Sequence, residues 1–137
     1  LVQNLAYALV QVIHNLGAVA VVGVPVCVLI HTCGDLAVSR RAAWVVLVAW
    51  AAQAASGATF GAVSYYFYAR PPDLHAIALA ALFVKVACAV AGFSLTALCL
   101  IMGRRAAPFF AGTKLWRVLA GLGLTAITAA AVLRWFA

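Results

Sequence analysis

Four long apolar runs, separated by short charged clusters, organise the chain. The charged clusters fall at positions 35–41, 70–73 and 104–117. A membrane span needs about 20 mostly apolar residues, and each intervening block supplies that length. The expected spans cover roughly 4–32, 42–68, 74–102 and 115–136. Hydrocarbon offers no water to satisfy backbone amides, and no strand pattern here could close a barrel, so all four spans are predicted as helices. Proline cannot continue a helix and aspartate satisfies orphan amides, so Pro71-Pro72-Asp73 reads as a tight break with Asp73 capping the third helix. The longest connection is expected over 103–113, which carries Pro108 and Gly112. The connections are short, so the predicted fold is all-α, an integral membrane four-helix up-and-down bundle forming a single transmembrane domain over 1–137.

Composition agrees with that pattern. The chain is 69% apolar and 8% charged, against about 45–50% and about 25% in soluble domains, which excludes an ordinary soluble globular protein. A formal charge of +7 would suggest nucleic acid in a soluble chain. Here the charges mark span ends, and no nucleic-acid partner is expected. The chain opens at Leu1 without an initiator Met or a basic region before the apolar run, so no cleavable signal peptide is read and residues upstream of Leu1 are left open.

Lys and Arg are retained on the cytoplasmic side of a membrane. Arg40 and Arg41 in the first loop, with Arg104, Arg105, Lys114 and Arg117 in or beside the third, outnumber Arg70 and Arg134 on the opposite face. This bias predicts both termini on the non-cytoplasmic side, with a bacterial inner membrane as the expected location. Tyr65, Tyr66, Tyr68 and Trp135 would form an outer aromatic belt, and Trp44 and Trp116 would mark the inner face.

Packing is expected through small and polar faces. Gly57 and Gly61 form a GxxxG pair on the second helix, extended by Ala51, Ala52, Ala54 and Ala55, a pattern that lets helix backbones approach in lipid. Polar stripes recur at spacings of three and four: Asn4, Tyr7, Gln11, His14 and Ala18; then Lys85, Cys88, Gly92, Thr96 and Cys99. The second helix carries Trp50, Gln53, Gly57, Ser64 and Tyr68, and the fourth Gly121, Thr125 and Thr128. Turning these faces inward brings His14, Lys85 and Gln53 together in a polar pocket.

His14 and Lys85 are the residues that do not belong in hydrocarbon, where an ionisable side chain at mid-depth costs at least about 2.5–3.5 kcal/mol. Counted from starts near Leu5 and Leu74 on the same face, His14 is roughly 14 Å deep and Lys85 roughly 16 Å, at 1.5 Å per residue. Their depths therefore match. A mid-span lysine needs an acceptor or a partner, because snorkelling works only near a helix end. Both carboxylates, Asp35 and Asp73, are expected at the faces, so an exogenous anion, a porphyrin propionate or a partner subunit is left to supply one. His31 and His75 read as interfacial. Cys27, Cys33, Cys88 and Cys99 lack CxxC and CxxCH spacing and read as small apolar filler. A Cys27–Cys33 bridge is not expected near a reducing face. No nucleophile elbow, P-loop, HExxH or carboxylate pair occurs.

The run Ile13-His14-Asn15-Leu16-Gly17-Ala18, the segment 41–57 with its Ser-Gly-Ala neighbourhood, and Leu82-Phe83-Val84-Lys85-Val86 resemble the HemJ-type protoporphyrinogen oxidases and related CopD-like small membrane families. In the HemJ-type family a first-helix His and a later-helix Lys are associated with b-type haem and activity. The resemblance implies that His14 and Lys85 are the catalytic pair and that His14 is the metal ligand. Gln11, Gly17, Gln53 and Tyr7 would complete the cofactor pocket, Gly17 and Ala18 by leaving room for a flat macrocycle. Haem b is the implied cofactor, with a tetrapyrrole or a quinone as redox partner. Two alternatives stand beside this reading. One is a non-catalytic small subunit of a larger respiratory or photosynthetic membrane complex, or a homo-oligomer, in contact with membrane lipid. The other is metal or solute transport, for which a single Met102 and scattered cysteines make a poor copper path.

Overall fold

The computed structural model describes residues 2–32, 34–68 and 76–136. Helix α1 spans Val2–Cys27 and runs into a π-helical turn at Val28–Thr32. Helix α2 spans Leu36–Tyr68 and α3 spans Ala76–Met102. A 3₁₀ turn at Gly103–Ala106 leads into the short α4, Ala107–Ala111, and α5 spans Thr113–Phe136. Four segments, Asn4–His31, Leu36–Ala62, Ala76–Ala111 and Thr113–Phe136, are long and apolar enough to cross a membrane. Large apolar side chains such as Leu9, Leu16, Val48, Phe83 and Leu124 cover the outside of the bundle, as an integral membrane protein requires. The long helices pack in a closed ring, α1 on α2, α2 on α3, α3 on α5 and α5 on α1. This is the all-α four-helix up-and-down bundle expected from the sequence.

The first turn of α2 lies earlier than the hydropathy pattern suggests. Gly34 takes φ 105°, a left-handed conformation that glycine adopts without a Cβ penalty. Asp35 Oδ1 then accepts hydrogen bonds from the backbone N–H groups of Ala37 (3.0 Å) and Val38 (3.1 Å), satisfying orphan donors as an N-cap does. Helix α2 therefore starts at Leu36, and Arg40 and Arg41 sit on helix rather than in a loop. The capping signal lies in polar residues that hydropathy alone assigns to the connection.

The expected loop over 103–113 is also helical. The short α4 carries a proline in its first turn, where the missing N–H costs nothing, and Gly112 N–H closes it on Pro108 O at 3.0 Å. Trp116, in the first turn of α5, faces the core: it is fully buried and its Nε1–H donates to Phe110 O at 3.0 Å. Trp44, by contrast, is exposed at this end, and Tyr65, Tyr66 and Trp135 are exposed at the other.

The core is built around Trp50, Trp116, Phe110, Leu119, Val21 and Val46. On α3 the predicted stripe faces inward, with Cys88, Gly92, Thr96 and Cys99 buried. Gly92 lies flat against the Trp50 indole, where a Cβ would come within 2.6 Å of Trp50 Cζ2 and Nε1. The fourth span turns differently from the reading above. Its buried face is Leu115, Trp116, Leu119, Gly123, Ala126 and Ala129, whereas Gly121, Thr125 and Thr128 are exposed. Thr125 and Thr128 bond back to Gly121 O (2.8 Å) and Leu124 O (2.9 Å), so their hydroxyls need no inward partner. The GxxxG pair does not pack within the chain either: Gly57 and Gly61 meet open space. The proposed cap at Asp73 and its Pro-Pro break lie outside the described residues.

Candidate functional site

The polar centre grows from His14 on α1, which is partly buried. Its Nδ1 lies 2.7 Å from Ser56 Oγ on α2, and its Nε2 lies 3.1 Å from Lys85 Nζ on α3. Gln53 on α2 donates through Nε2 to the backbone carbonyl of His14. One helix turn of α2 thus holds both the imidazole and its backbone, and α3 supplies the amine. His14 and Lys85, matched in depth by counting residues, meet in the folded chain.

Proton positions follow from the acceptors. Ser56 Oγ lies 2.5 Å from the carbonyl oxygen of Ala52, a group that can only accept. Gln53 O lies 3.3 Å away on the same helix, and with the hydroxyl proton directed at these carbonyls Oγ receives the His14 contact as an acceptor. On that basis the ring proton is assigned to Nδ1, and the neutral imidazole presents the lone pair of Nε2 to Lys85, which donates. The result is one directed chain, Lys85 to His14 to Ser56 to Ala52 O. Lys85 makes no other polar contact among the described residues.

The surroundings are aromatic on one side and closed on the other. Phe60 meets the His14 ring edge-on, with centroids 5.7 Å apart and planes at 79°. Tyr7 stacks on Phe60 at 6.3 Å, so it lines the site at one remove. Gly17, expected to leave room for a macrocycle, faces Gln53: a Cβ there would sit 2.9 Å from Gln53 Nε2. The space at Gly17 admits the glutamine side chain that fastens α2 to His14. Gln11 does not join the centre. It is exposed and donates to Asn15 Oδ1 at 2.8 Å, an i,i+4 pair on the outer face of α1.

Ser56 is the participant that the sequence stripes passed over. It lies three residues after Gln53 and four before Phe60, the spacing of one helix face. That spacing was the available signal, obscured by the neighbouring Gly57. His31 is exposed at its end of the bundle, Cys27 is exposed, and Cys88 and Cys99 are buried free thiols. His75 and Cys33 lie outside the described residues, as do the side chains of Ser64 and Tyr68. Among the described residues no group of three or more His, Cys, Asp or Glu could hold a metal ion, so a protein-only metal cage is absent from that set.

Comparison with family models, with curated proteins and with solved structures gives no match for this chain. The functional reading therefore rests on the residues of the centre.

Proposed function

We propose that this integral membrane protein is a redox protein that binds b-type haem at the His14–Lys85 centre. The observation that carries the reading is the convergence of these two residues, with Ser56 fixing the imidazole tautomer. A histidine that ligates through one ring nitrogen usually donates its other N–H to an oriented acceptor. Here Nδ1–H donates to Ser56, and the lone pair of Nε2 is the free ligand site once Lys85 moves aside. His14 would thus be the residue that holds the haem iron. Lys85 would serve as a second ligand when neutral or as the partner of a propionate when charged. Tyr7 and Phe60 border the ring, and Gln53 holds the α1 backbone in place.

Haem bound there would supply one-electron exchange with a lipid-soluble tetrapyrrole or a quinone. The chain's own contribution is to hold the imidazole in one tautomer and to keep the Lys85 amine at the same depth. The basic residues 40, 41, 104, 105, 114 and 117 gather at one end of the bundle, which supports a bacterial inner membrane orientation with both termini outside the cytoplasm. Visible spectra of the gently solubilised protein, oxidised and dithionite-reduced, test the reading. A Soret band with a reduced b-type α band, lost in His14→Ala, is the expected result. A colourless, folded preparation that stays colourless when supplied with haem overturns it.

A second reading is favoured by a separate observation. A Cβ added at Gly57 or Gly61 would meet no described residue within 4 Å, and Ala51, Ala54, Ala55, Ala58 and Ala62 beside them are exposed. That low-profile face suits another transmembrane helix, as in a subunit of a larger membrane complex or a homo-oligomer. Co-purification of a stoichiometric partner without pigment would select this reading over the first.

A further inference from the structure

At the basic end of the bundle, the first turns of α2 and the 3₁₀ turn after α3 enclose a cleft of about 600 Å³. Arg40 and Arg41 line it from α2 and Arg104 from the 3₁₀ turn, while Leu36, Trp44 and Phe110 supply its apolar part. The three guanidinium groups make no ion pair or side-chain hydrogen bond with any described residue. The carboxylate of Asp35, the described acid nearest in sequence, is occupied in capping α2. Three arginines thus line one cleft, and no carboxylate is among its lining residues.

The geometry points to a binding site for the phosphate headgroup of an anionic phospholipid. Guanidinium forks match phosphate oxygens in pairs, so two or three arginines converging on one anion give both charge and shape recognition. Basic pockets between transmembrane helices at the cytoplasmic surface suit anionic headgroups. The mixed lining is what separates a lipid from a free anion. Exposed Leu36 and Trp44 continue the cleft with apolar surface, and that surface takes the glycerol and upper acyl carbons. Arg105, Lys114 and Arg117 share this end of the bundle but do not line the cleft, so they provide an internal control for bulk electrostatics. The site is independent of the His14–Lys85 centre and of any cofactor there.

The test is lipid retention and thermal stability of the purified chain in neutral detergent. Phosphatidylglycerol, phosphatidylcholine and inorganic phosphate are added separately to the unaltered protein, to Arg40→Gln/Arg104→Gln and to Arg105→Gln/Arg117→Gln. The expected result is one retained phosphatidylglycerol per chain and a raised Tm, weakened at least about tenfold in affinity by the cleft pair, since two charge-assisted contacts are lost. The control pair should leave binding within about twofold, because exposed charges outside the cleft act only through screened long-range attraction. Lysine replacements at 40 and 104 should recover part of the binding, because charge returns without the planar fork. Equal retention of phosphatidylcholine, or equal weakening by the control pair, overturns the site. Equal protection by inorganic phosphate overturns the lipid as its occupant.

Discussion

Lys85 Nζ lies 3.1 Å from His14 Nε2, on helices that are diagonally opposite in the ring of four. This contact crosses the centre of the bundle and ties α1 to α3. Ser56 and Gln53 add α2 to the same knot. Buried polar groups in a membrane are costly unless paired, so the three helices are specified against rotation as well as held together.

The His14–Lys85 contact should show energetic coupling. In a double-mutant cycle with His14→Ala and Lys85→Met, unfolding in detergent or bicelles is expected to give an interaction energy of about 0.5–2 kcal/mol, the range of polar contacts between membrane helices. Strict additivity of the two substitutions would deny the contact.

Ser56 fixes the tautomer, so its hydroxyl matters more than its size. Ser56→Ala leaves the His14 Nδ1–H without an acceptor and should destabilise the protein by about 1–3 kcal/mol. The Nδ1 signal of His14 should also shift, because its N–H loses an acceptor while Lys85 still donates to Nε2. Unchanged stability together with an unshifted Nδ1 signal in Ser56→Ala would contradict the His14–Ser56 contact.

Glycines in the bundle are not equivalent. Gly92→Ala would drive a methyl into the fully buried Trp50 ring, with an expected loss of about 1–3 kcal/mol from overpacking. Gly61→Ala meets open space and should leave the stability of the isolated chain within about 0.5 kcal/mol. A Gly61→Ala effect as large as that of Gly92→Ala, measured by thermal unfolding of the monomer, would refute this placement of α2.

Orientation follows from the clustered basic residues. Alkaline phosphatase fused after residue 136 should be active, and a fluorescent protein at the same point should be dark, as expected of a terminus outside the cytoplasm. The reverse pattern would place the arginine cleft outside.

Much of this architecture was legible before any coordinates. Spans could be read because hydrocarbon demands long apolar helices, and the α3 face because Lys85, Cys88, Gly92, Thr96 and Cys99 keep one helical phase. The meeting of His14 and Lys85 followed from depth, since both helices start on the same side. Rotation was harder to read. Gln11 found a partner in Asn15, and Thr125 and Thr128 found one in their own backbone, so a polar residue on a helix did not have to face inward. Hydropathy places Arg40 and Arg41 in a loop because it marks the end of the apolar run, whereas the helix start is set by Gly34 and Asp35. The space beside Gly17 went to Gln53, a tertiary choice that no spacing rule contains.

The central claim is a single directed polar centre, in which neutral His14 accepts from Lys85 and donates to Ser56. Solid-state ¹⁵N correlation spectroscopy of histidine- and lysine-labelled protein in lipid bilayers tests it most directly, in the cofactor-free state. The account predicts a His14 signal with a protonated Nδ1 and a cross peak between its Nε2 and Lys85 Nζ, absent in Lys85→Met. A His14 ring protonated at Nε2, or a Lys85 amine with no through-space contact to it, would contradict the account.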